Sequence, residues 1–215
     1  SQTGPATPTP VPMNDFLLRV YCGEVAQQCN RGIMAYQQMR RLVTSPSSAS
    51  DIEEHIGTVF QALNNVLTCA ANVSKLLTTP NKKPLVTDRG EALSKRLNVL
   101  ASSPVHNRIL RNHVEHFDER IDTWAATDPN HIWASDFVGP LNIAVIHGAN
   151  IPVRRRYDPM TDTFHFLSDQ IELYAVKEEL RRIQLAADEV INPVWPDTPD
   201  FHASKMDDEL GETHG

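Results

Sequence analysis

The sequence predicts a mainly α-helical protein, an antiparallel bundle of four or five helices with one small β-hairpin before the last helix. Apolar residues recur at helical spacing through most of residues 14–192, and helix start and stop signals separate these stretches. Alternation typical of strands occurs only at about residues 152–167. The connections between the predicted helices are short, which favours antiparallel neighbours.

The 215 residues suffice for one ordinary domain, which we place at residues 14–192. Residues 1–13 contain four prolines among Ser and Thr and predict a disordered arm. Residues 193–215 contain three prolines and an acidic run at 207–209, which predicts a disordered acidic tail.

The chain is acidic, with a net charge of −7 and a pI of about 5.7. A protein that coats nucleic acid without sequence preference is usually basic, so any contact with RNA must come from a local patch. Three cysteines (Cys22, Cys29 and Cys69) do not form a disulfide framework and indicate a reducing, cytoplasmic location. The sequence has no apolar stretch of about eighteen residues, so we expect no membrane span.

Two long helices come first in the prediction. The first covers residues 14–43, with Asn14 or Asp15 as its cap. The second starts at a capping box formed by Ser50 and Glu53 and continues to about residue 78. The predicted apolar face of the first helix consists of Phe16, Val20, Val25, Cys29, Ile33, Met34 and Met39.

Two further helices follow. The third is predicted over residues 88–100, with Leu93, Leu97 and Leu100 facing inward. The fourth is predicted as one amphipathic helix over residues 103–126, with Ser103 as its N-cap and a proline at its first position.

The last third of the chain contains the hairpin. Residues 130–150 are apolar but broken by Gly and Pro, and we interpret them as a buried connection. Residues 151–157 and 163–167 predict two strands around a turn at 158–162. Ser168 is the predicted cap of a last helix over residues 169–191.

The predicted fourth helix carries the side chains best suited to catalysis. They are Arg111, Asn112 and, four residues further on, His116. Cleavage of RNA without a metal needs a base, an acid and a cation at the phosphate. His116 can act as base and acid, Arg111 can clamp the phosphate, and Asn112 can orient these groups. One Arg and one His supply half of the set, so a second copy across a twofold axis would complete it.

This run resembles the signature of the HEPN superfamily (higher eukaryotes and prokaryotes nucleotide-binding): Arg, then Asn, Asp or His, then three residues, then His. Arg111, Asn112 and His116 match all three positions, and the resemblance covers the motif and the helical architecture of residues 14–192. It implies a dimeric helical bundle with the motif in a cleft between protomers. Many members are metal-independent endoribonucleases of toxin–antitoxin, abortive-infection or other defence systems, whereas others bind RNA or a nucleotide without cutting, or have lost both properties. Asp118 stands where one subgroup has a modified Tyr, so that regulation is not implied.

A different interpretation of the same residues is a solvated helix face. Arg111 and Glu115 are four apart, as are His116 and Arg120, which is the spacing of ordinary ion pairs. Arg111 and His116 lie roughly 140° apart around a helix. The protein would then be a non-catalytic helical module that binds RNA, a nucleotide or a protein.

Arg154, Arg155 and Arg156 on the predicted hairpin are a second candidate RNA contact, with Arg154 and Arg156 on one face of the strand and Arg155 on the other. A charged edge strand that blocks pairing with other sheets explains them equally well. His147 and His165 have no Cys or carboxylate at ligand spacing, so we expect no metal and no cofactor. The expected partners are a second copy of the chain, RNA, and an antitoxin or other protein.

Overall fold

The computed structural model describes residues 13–45, 52–78, 83–107, 109–110, 117–127, 134–140, 145–146, 149–150, 153–167 and 169–192. The helices of these residues are α1 (Asp15–Thr44), α2 (Ile52–Leu77), α3 (Pro84–Arg96), α4 (Phe117–Thr127) and α5 (Leu173–Ile191), with a 3₁₀ turn at Pro104–His106. The strands are β1 (Ala134–Val138), β2 (Val145–Ile146), β3 (Ala149–Asn150), β4 (Val153–Asp158), β5 (Thr163–Phe166) and β6 (Asp169–Glu172). This part of the chain is mainly helical with a small sheet, as predicted. The arm up to residue 12 and the tail from residue 193 lie outside the described residues.

Helix α1 begins where the sequence predicts, because Asn14 accepts the backbone N–H of Leu17 at 2.9 Å. The helix packs between α2 and α5, so two of its sides are buried. The predicted apolar face is wrong at Phe16, Val20 and Met34, which are 72%, 52% and 60% exposed. The residues buried along α1 are Cys22, Val25, Gln28, Cys29, Gly32, Ala35, Tyr36 and Met39.

Helix α2 supplies the largest part of the core, and most of the apolar positions predicted along it from Val59 onward are buried. Ile52, which was also predicted to face inward, is 49% exposed. Burial of each large side chain there contributes roughly 1.5–3 kcal/mol. Glu53 and Glu54 lie in its first turn, where negative charge interacts favourably with the helix dipole. Ser50 of the predicted capping box lies outside the described residues. The buried positions of α2 are Val59, Phe60, Ala62, Leu63, Val66, Leu67, Ala70, Ala71, Val73, Ser74 and Leu77.

Helix α3 is displaced by four residues from its predicted position of 88–100. It begins at Pro84, which is tolerated in the first turn because the missing N–H would have no partner there. It ends at Arg96, and Asn98 follows with a left-handed φ of 51°. Leu93 and Leu97 are buried as predicted, but Leu100 is 62% exposed because it lies beyond the helix.

The continuous helix predicted over residues 103–126 is wrong at its start. Pro104–His106 is a single 3₁₀ turn, and Asn107 then adopts an extended conformation with ψ of 119°. Ser103 makes no side-chain cap bond. Helix α4 ends at Thr127, close to the predicted end.

The predicted hairpin is confirmed, but it is part of a four-stranded sheet in the order β1-β4-β5-β6. Strands β4 and β5 are antiparallel, with Tyr157 opposite Phe164. Strand β1 pairs parallel to β4, and β2 pairs antiparallel to β3. These three strands, β1 to β3, fall in residues 130–150, so the interpretation of that stretch as a simple connection is wrong. Gly139 and Pro140 interrupt this apolar stretch, and its spacing alone does not show that β4 pairs with it.

The last helix begins later than predicted, at Leu173 instead of residue 169. Leu167 has a left-handed φ of 53°, and the chain then turns back along β5 as β6. The backbone groups of Asp169–Glu172 are therefore bonded to β5 and not to a helix. Ser168, the predicted cap, lies outside the described residues, and Glu172 at the cap position makes no side-chain bond.

One face of the sheet packs against the helices. Tyr157, Phe164 and Ile171 lie in one cross-strand row and are buried. The ring of Phe164 meets Phe60 of α2 edge to face, with 6.5 Å between centroids. The sheet thereby joins the helical core and fixes β4 beside α1 and α2.

Candidate functional site

The motif residues Arg111, Asn112 and His116 lie outside the described residues, between Leu110 and α4. Their distances and partners are therefore no part of the geometry below. Leu110, directly before the motif, is fully buried, and α4 begins directly after it at Phe117. Both ends of the motif segment are thus attached to described structure.

A polar cluster attaches the chain ahead of the motif to α5. The hydroxyl of Ser103 donates to Glu179 Oε1 at 2.6 Å. Arg182 donates to both oxygens of the same carboxylate at 2.8 Å, and also to the carbonyl of Leu97 at 3.1 Å. Burial alone would raise the pKa of Glu179, but the hydrogen bonds from Arg182 and Ser103 lower it below its ordinary value. Glu179 is therefore a charged anchor and a poor proton acceptor.

His106 lies in the 3₁₀ turn beside this cluster. Its Nδ1 atom is buried and has no hydrogen-bond partner among the described residues. Burial lowers the pKa of His106 below its ordinary value, and the charge of Glu179 opposes this shift only in part. His106 is consequently neutral at pH 7. No local signal marks His106, because its environment comes from α5, more than seventy residues away along the chain.

Acidic residues follow the motif directly. Asp118 and Glu119 are exposed in the first turn of α4. Their charges interact favourably with the helix dipole. They also place negative potential next to the segment where a phosphate would bind in the predicted site.

Arg155, one of the predicted RNA contacts, has two internal partners. Its guanidinium forms a bidentate ion pair with Asp136 of β1, at 2.6 and 2.9 Å. It also lies over the ring of Phe60, 5.6 Å from the centroid. These contacts join β4 to both β1 and α2.

Arg156 lies on the opposite face of the sheet and is buried, at 8% exposure. It donates to Asp158 Oδ2 and to the carbonyl of Gly139, both at 3.3 Å. Across the ladder stands His165, whose pKa is lowered first by burial and then by the positive charge of Arg156. The side chain of Arg154 lies outside the described residues. Contact of these arginines with RNA stays a prediction.

A second polar network joins α1 to the β4–β5 turn. The hydroxyl of Tyr36 donates a hydrogen bond to Oδ2 of Asp162 at 2.7 Å, and the hydroxyl of Tyr157 donates to Oδ1 at 2.6 Å. Arg40 donates to the hydroxyl of Tyr157 at 2.9 Å and to the carbonyl of Pro159 at 3.1 Å. Burial, followed by the hydrogen bond to Asp162, raises the pKa of both tyrosines. These donors and acceptors are paired with one another, so the network serves to hold α1 against the β4–β5 turn.

Comparisons with known proteins found no match, whether with a protein-family model, a curated protein or a solved structure. The candidate site therefore depends on the residues of this chain alone.

In the part of the chain that the structure describes, no group of three or more His, Cys, Asp and Glu side chains is arranged to hold a metal ion. None of the described helices combines the length and apolarity that crossing a membrane requires.

Proposed function

We propose that this protein is a metal-independent endoribonuclease of HEPN type that acts as a homodimer. The observation that carries the proposal is the spacing of Arg111, Asn112 and His116 in a mainly helical chain. In the proposal His116 takes the 2′-hydroxyl proton and protonates the leaving 5′-oxygen. Arg111 binds the phosphate oxygens and Asn112 orients the two groups.

The described surroundings of the motif support this proposal indirectly. Buried Leu110 and the anchored Ser103 hold the chain before the motif, and α4 holds it afterwards. Such attachment at both ends is what a preorganised site requires. Asp118 and Glu119 in the first turn of α4 add negative charge beside the motif and do not support phosphate binding.

The proposal extends to the whole protein. We propose that it is a compact antiparallel helical bundle in the cytoplasm and that it belongs to a toxin–antitoxin or phage-defence system. An antitoxin or other protein partner would then restrain the activity. Arg155 and Arg156 have internal ion pairs. Of the three hairpin arginines, Arg154 is therefore the first to test as an RNA contact.

The direct test is incubation of the purified protein with RNA in EDTA. We expect cleavage, with the rate lowered about 10²- to 10⁴-fold by His116→Ala or Arg111→Ala, because each change removes a group that acts in the transition state. His55→Ala on α2 is the matched control and should cleave like the unmodified protein. The specific activity should also fall on dilution below the dimer dissociation constant.

Absence of cleavage, or cleavage by the His116→Ala variant at the rate of the unmodified protein, would contradict the proposed ribonuclease activity. The second candidate, a non-catalytic helical module that binds RNA, a nucleotide or a protein, would then take its place. The net charge of −7 and the exposed acids at the start of α4 favour this second candidate. Its signature is RNA or nucleotide binding, measured by fluorescence anisotropy, that Arg111→Ala or Arg154→Ala weakens without any cleavage in either protein.

A further inference from the structure

A groove of about 560 Å³ lies between α1 and α2. Its apolar lining includes Ala35 and Met34, and Met34 is 60% exposed. Cys69 of α2 also lines it and is half-buried. Among the described residues, no acidic side chain contributes to the lining.

Arg31 and Arg41 give the groove a positive charge. They are ten residues apart on α1, which places them about 15 Å apart along its axis. Both are exposed, and in the described part of the chain neither guanidinium has an ion pair or hydrogen bond. Most other arginines near the core, such as Arg40, Arg155 and Arg182, are engaged by carboxylates. The lining combines Met34 and Ala35 with two available guanidinium groups and the uncharged polar side chains of Gln37, Gln38, Asn65 and Thr68. Such a groove fits an acidic segment with apolar side chains at its ends.

We propose that this groove binds the chain's own acidic segment, residues 206–210 (Met-Asp-Asp-Glu-Leu). The three adjacent carboxylates complement Arg31 and Arg41. Met206 and Leu210 are four residues apart, so one helical turn would present both to the apolar lining. This interaction is independent of the proposed ribonuclease activity.

The segment is long enough to reach the groove. Helix α5 runs antiparallel to α1, since Leu180 lies against Gly32 and Val190 lies beside Leu18. Helix α5 therefore ends near the start of α1, and Arg31 is about 20 Å further along α1. Residues 192–206 span up to about 50 Å when extended, which exceeds this distance.

Cys69 provides the readout for an experiment on the full chain. Burial raises the pKa of the Cys29 thiol to about 12 and also raises the pKa of Cys22, and both side chains are fully buried. These two thiols should react slowly with a maleimide, since the thiolate is the reactive form. Cys69 lies in the groove and should react first, so its labelling rate, followed by mass spectrometry, reports whether the groove is covered.

We expect the triple change Asp207→Asn, Asp208→Asn and Glu209→Gln to speed Cys69 labelling severalfold. Arg41→Glu should do the same, because it removes one of the two complementary charges. Burial raises the pKa of the Cys69 thiol above its ordinary value, and the charge of Arg31 opposes this shift. Arg41 is therefore preferable to Arg31 for the test, since a change at Arg31 would alter the thiol itself. High salt should also speed labelling of the unmodified protein, because exposed ion pairs are screened.

The matched control is Asp197→Asn with Asp200→Asn, which removes charge from the same tail outside residues 206–210 and should leave the rate unchanged. Equal rates for the triple variant and the unmodified protein would overturn the proposal. If the control pair speeds Cys69 labelling as much as the triple change does, the proposal is also overturned. The effect would then come from the total charge of the tail and not from residues 206–210. Protection of Cys69 that disappears on dilution would show binding between copies and would contradict the intramolecular contact.

Discussion

At the scale of single residues, Asp162 shows how one carboxylate determines the junction between helix and sheet. Its backbone has a left-handed φ of 51°, which Asp tolerates better than most residues. Its two oxygens accept the hydroxyls of Tyr36 and Tyr157, and Arg40 lies 3.5 Å away. The turn of the hairpin is therefore held against α1 by charged hydrogen bonds and not only by apolar packing.

Replacement of Tyr157 by Phe tests this junction. The hydroxyl of Tyr157 donates to Asp162 and accepts from Arg40, so its removal loses two charge-assisted hydrogen bonds at a fully buried side chain. We expect the free energy of unfolding to fall by about 1.5–3 kcal/mol, measured by urea denaturation. Tyr174→Phe is the matched control, because Tyr174 is 52% exposed, and its effect should be within about 0.5 kcal/mol. A Tyr157→Phe protein as stable as the control would show that the network contributes nothing net.

At the scale of elements, the contact of α3 with the end of α2 depends on the absence of a side chain at Gly90. A Cβ atom there would lie 2.5 Å from the carbonyl oxygen of Leu77. Arg89, next along α3, donates to the carbonyls of Lys75 and Leu76. These bonds satisfy carbonyl groups that the end of α2 leaves without helical partners. Close approach and side-chain capping together fix α3 to α2.

Two Gly-to-Ala changes of opposite sign test this packing. Gly90→Ala should lower the free energy of unfolding by about 1–3 kcal/mol, because the backbone of α2 cannot move aside at small cost. Gly57→Ala on α2 should raise it by roughly 0.5–1 kcal/mol, because a Cβ at Gly57 meets nothing within 4 Å and Ala favours the helix. Thermal or urea unfolding measures both. Stabilisation by both changes would contradict the close contact between α3 and α2.

At the scale of the whole molecule, burial of histidines couples stability to pH. Burial lowers the pKa of both His106 and His165 below the ordinary value, with Arg156 lowering that of His165 further. The unfolded chain therefore takes up protons at these sites at a higher pH than the folded chain does. Their contribution to stability is complete above the unfolded pKa of about 6.5 and is lost as the pH falls toward the folded values.

We expect the urea midpoint to fall between pH 7.5 and pH 5.5, before most carboxylates titrate. The double change His106→Gln and His165→Gln should flatten this dependence, because neither position can then bind a proton. Both proteins are to be compared at the same ionic strength, since the net charge also changes with pH. A dependence as steep in the double variant as in the unmodified protein would assign the effect to other groups.

The limits of prediction from sequence differ between the helices and the sheet. The start of α1 at Asn14, the apolar stripe of α2 and the hairpin of β4 and β5 follow from residues close together along the chain. Strand β6 was predicted as the start of a helix, because residues 169–172 carry no local signal that outweighs the helical pattern after them. They pair with β5 across a short turn, and Leu167, which has a left-handed φ there, is not a residue type that marks such a turn in a sequence. The same distinction applies to the candidate site. The motif is visible as a spacing in the sequence, whereas the hydrogen bond from Ser103 to Glu179 joins residues far apart along the chain and could not be predicted.

By itself, the sequence determined the mainly helical character, the cap of α1 and the core positions of α2, because helical hydrogen bonds join residues four apart and the apolar stripe is visible at that spacing. The tertiary structure alone decided the break at residues 104–107, the strand β1 and the internal ion pair of Arg155. The partners in these contacts come from distant parts of the chain: Glu179 for Ser103, β4 for β1, and Asp136 for Arg155. No local spacing encodes such pairings, because they form only when the core brings the partners together.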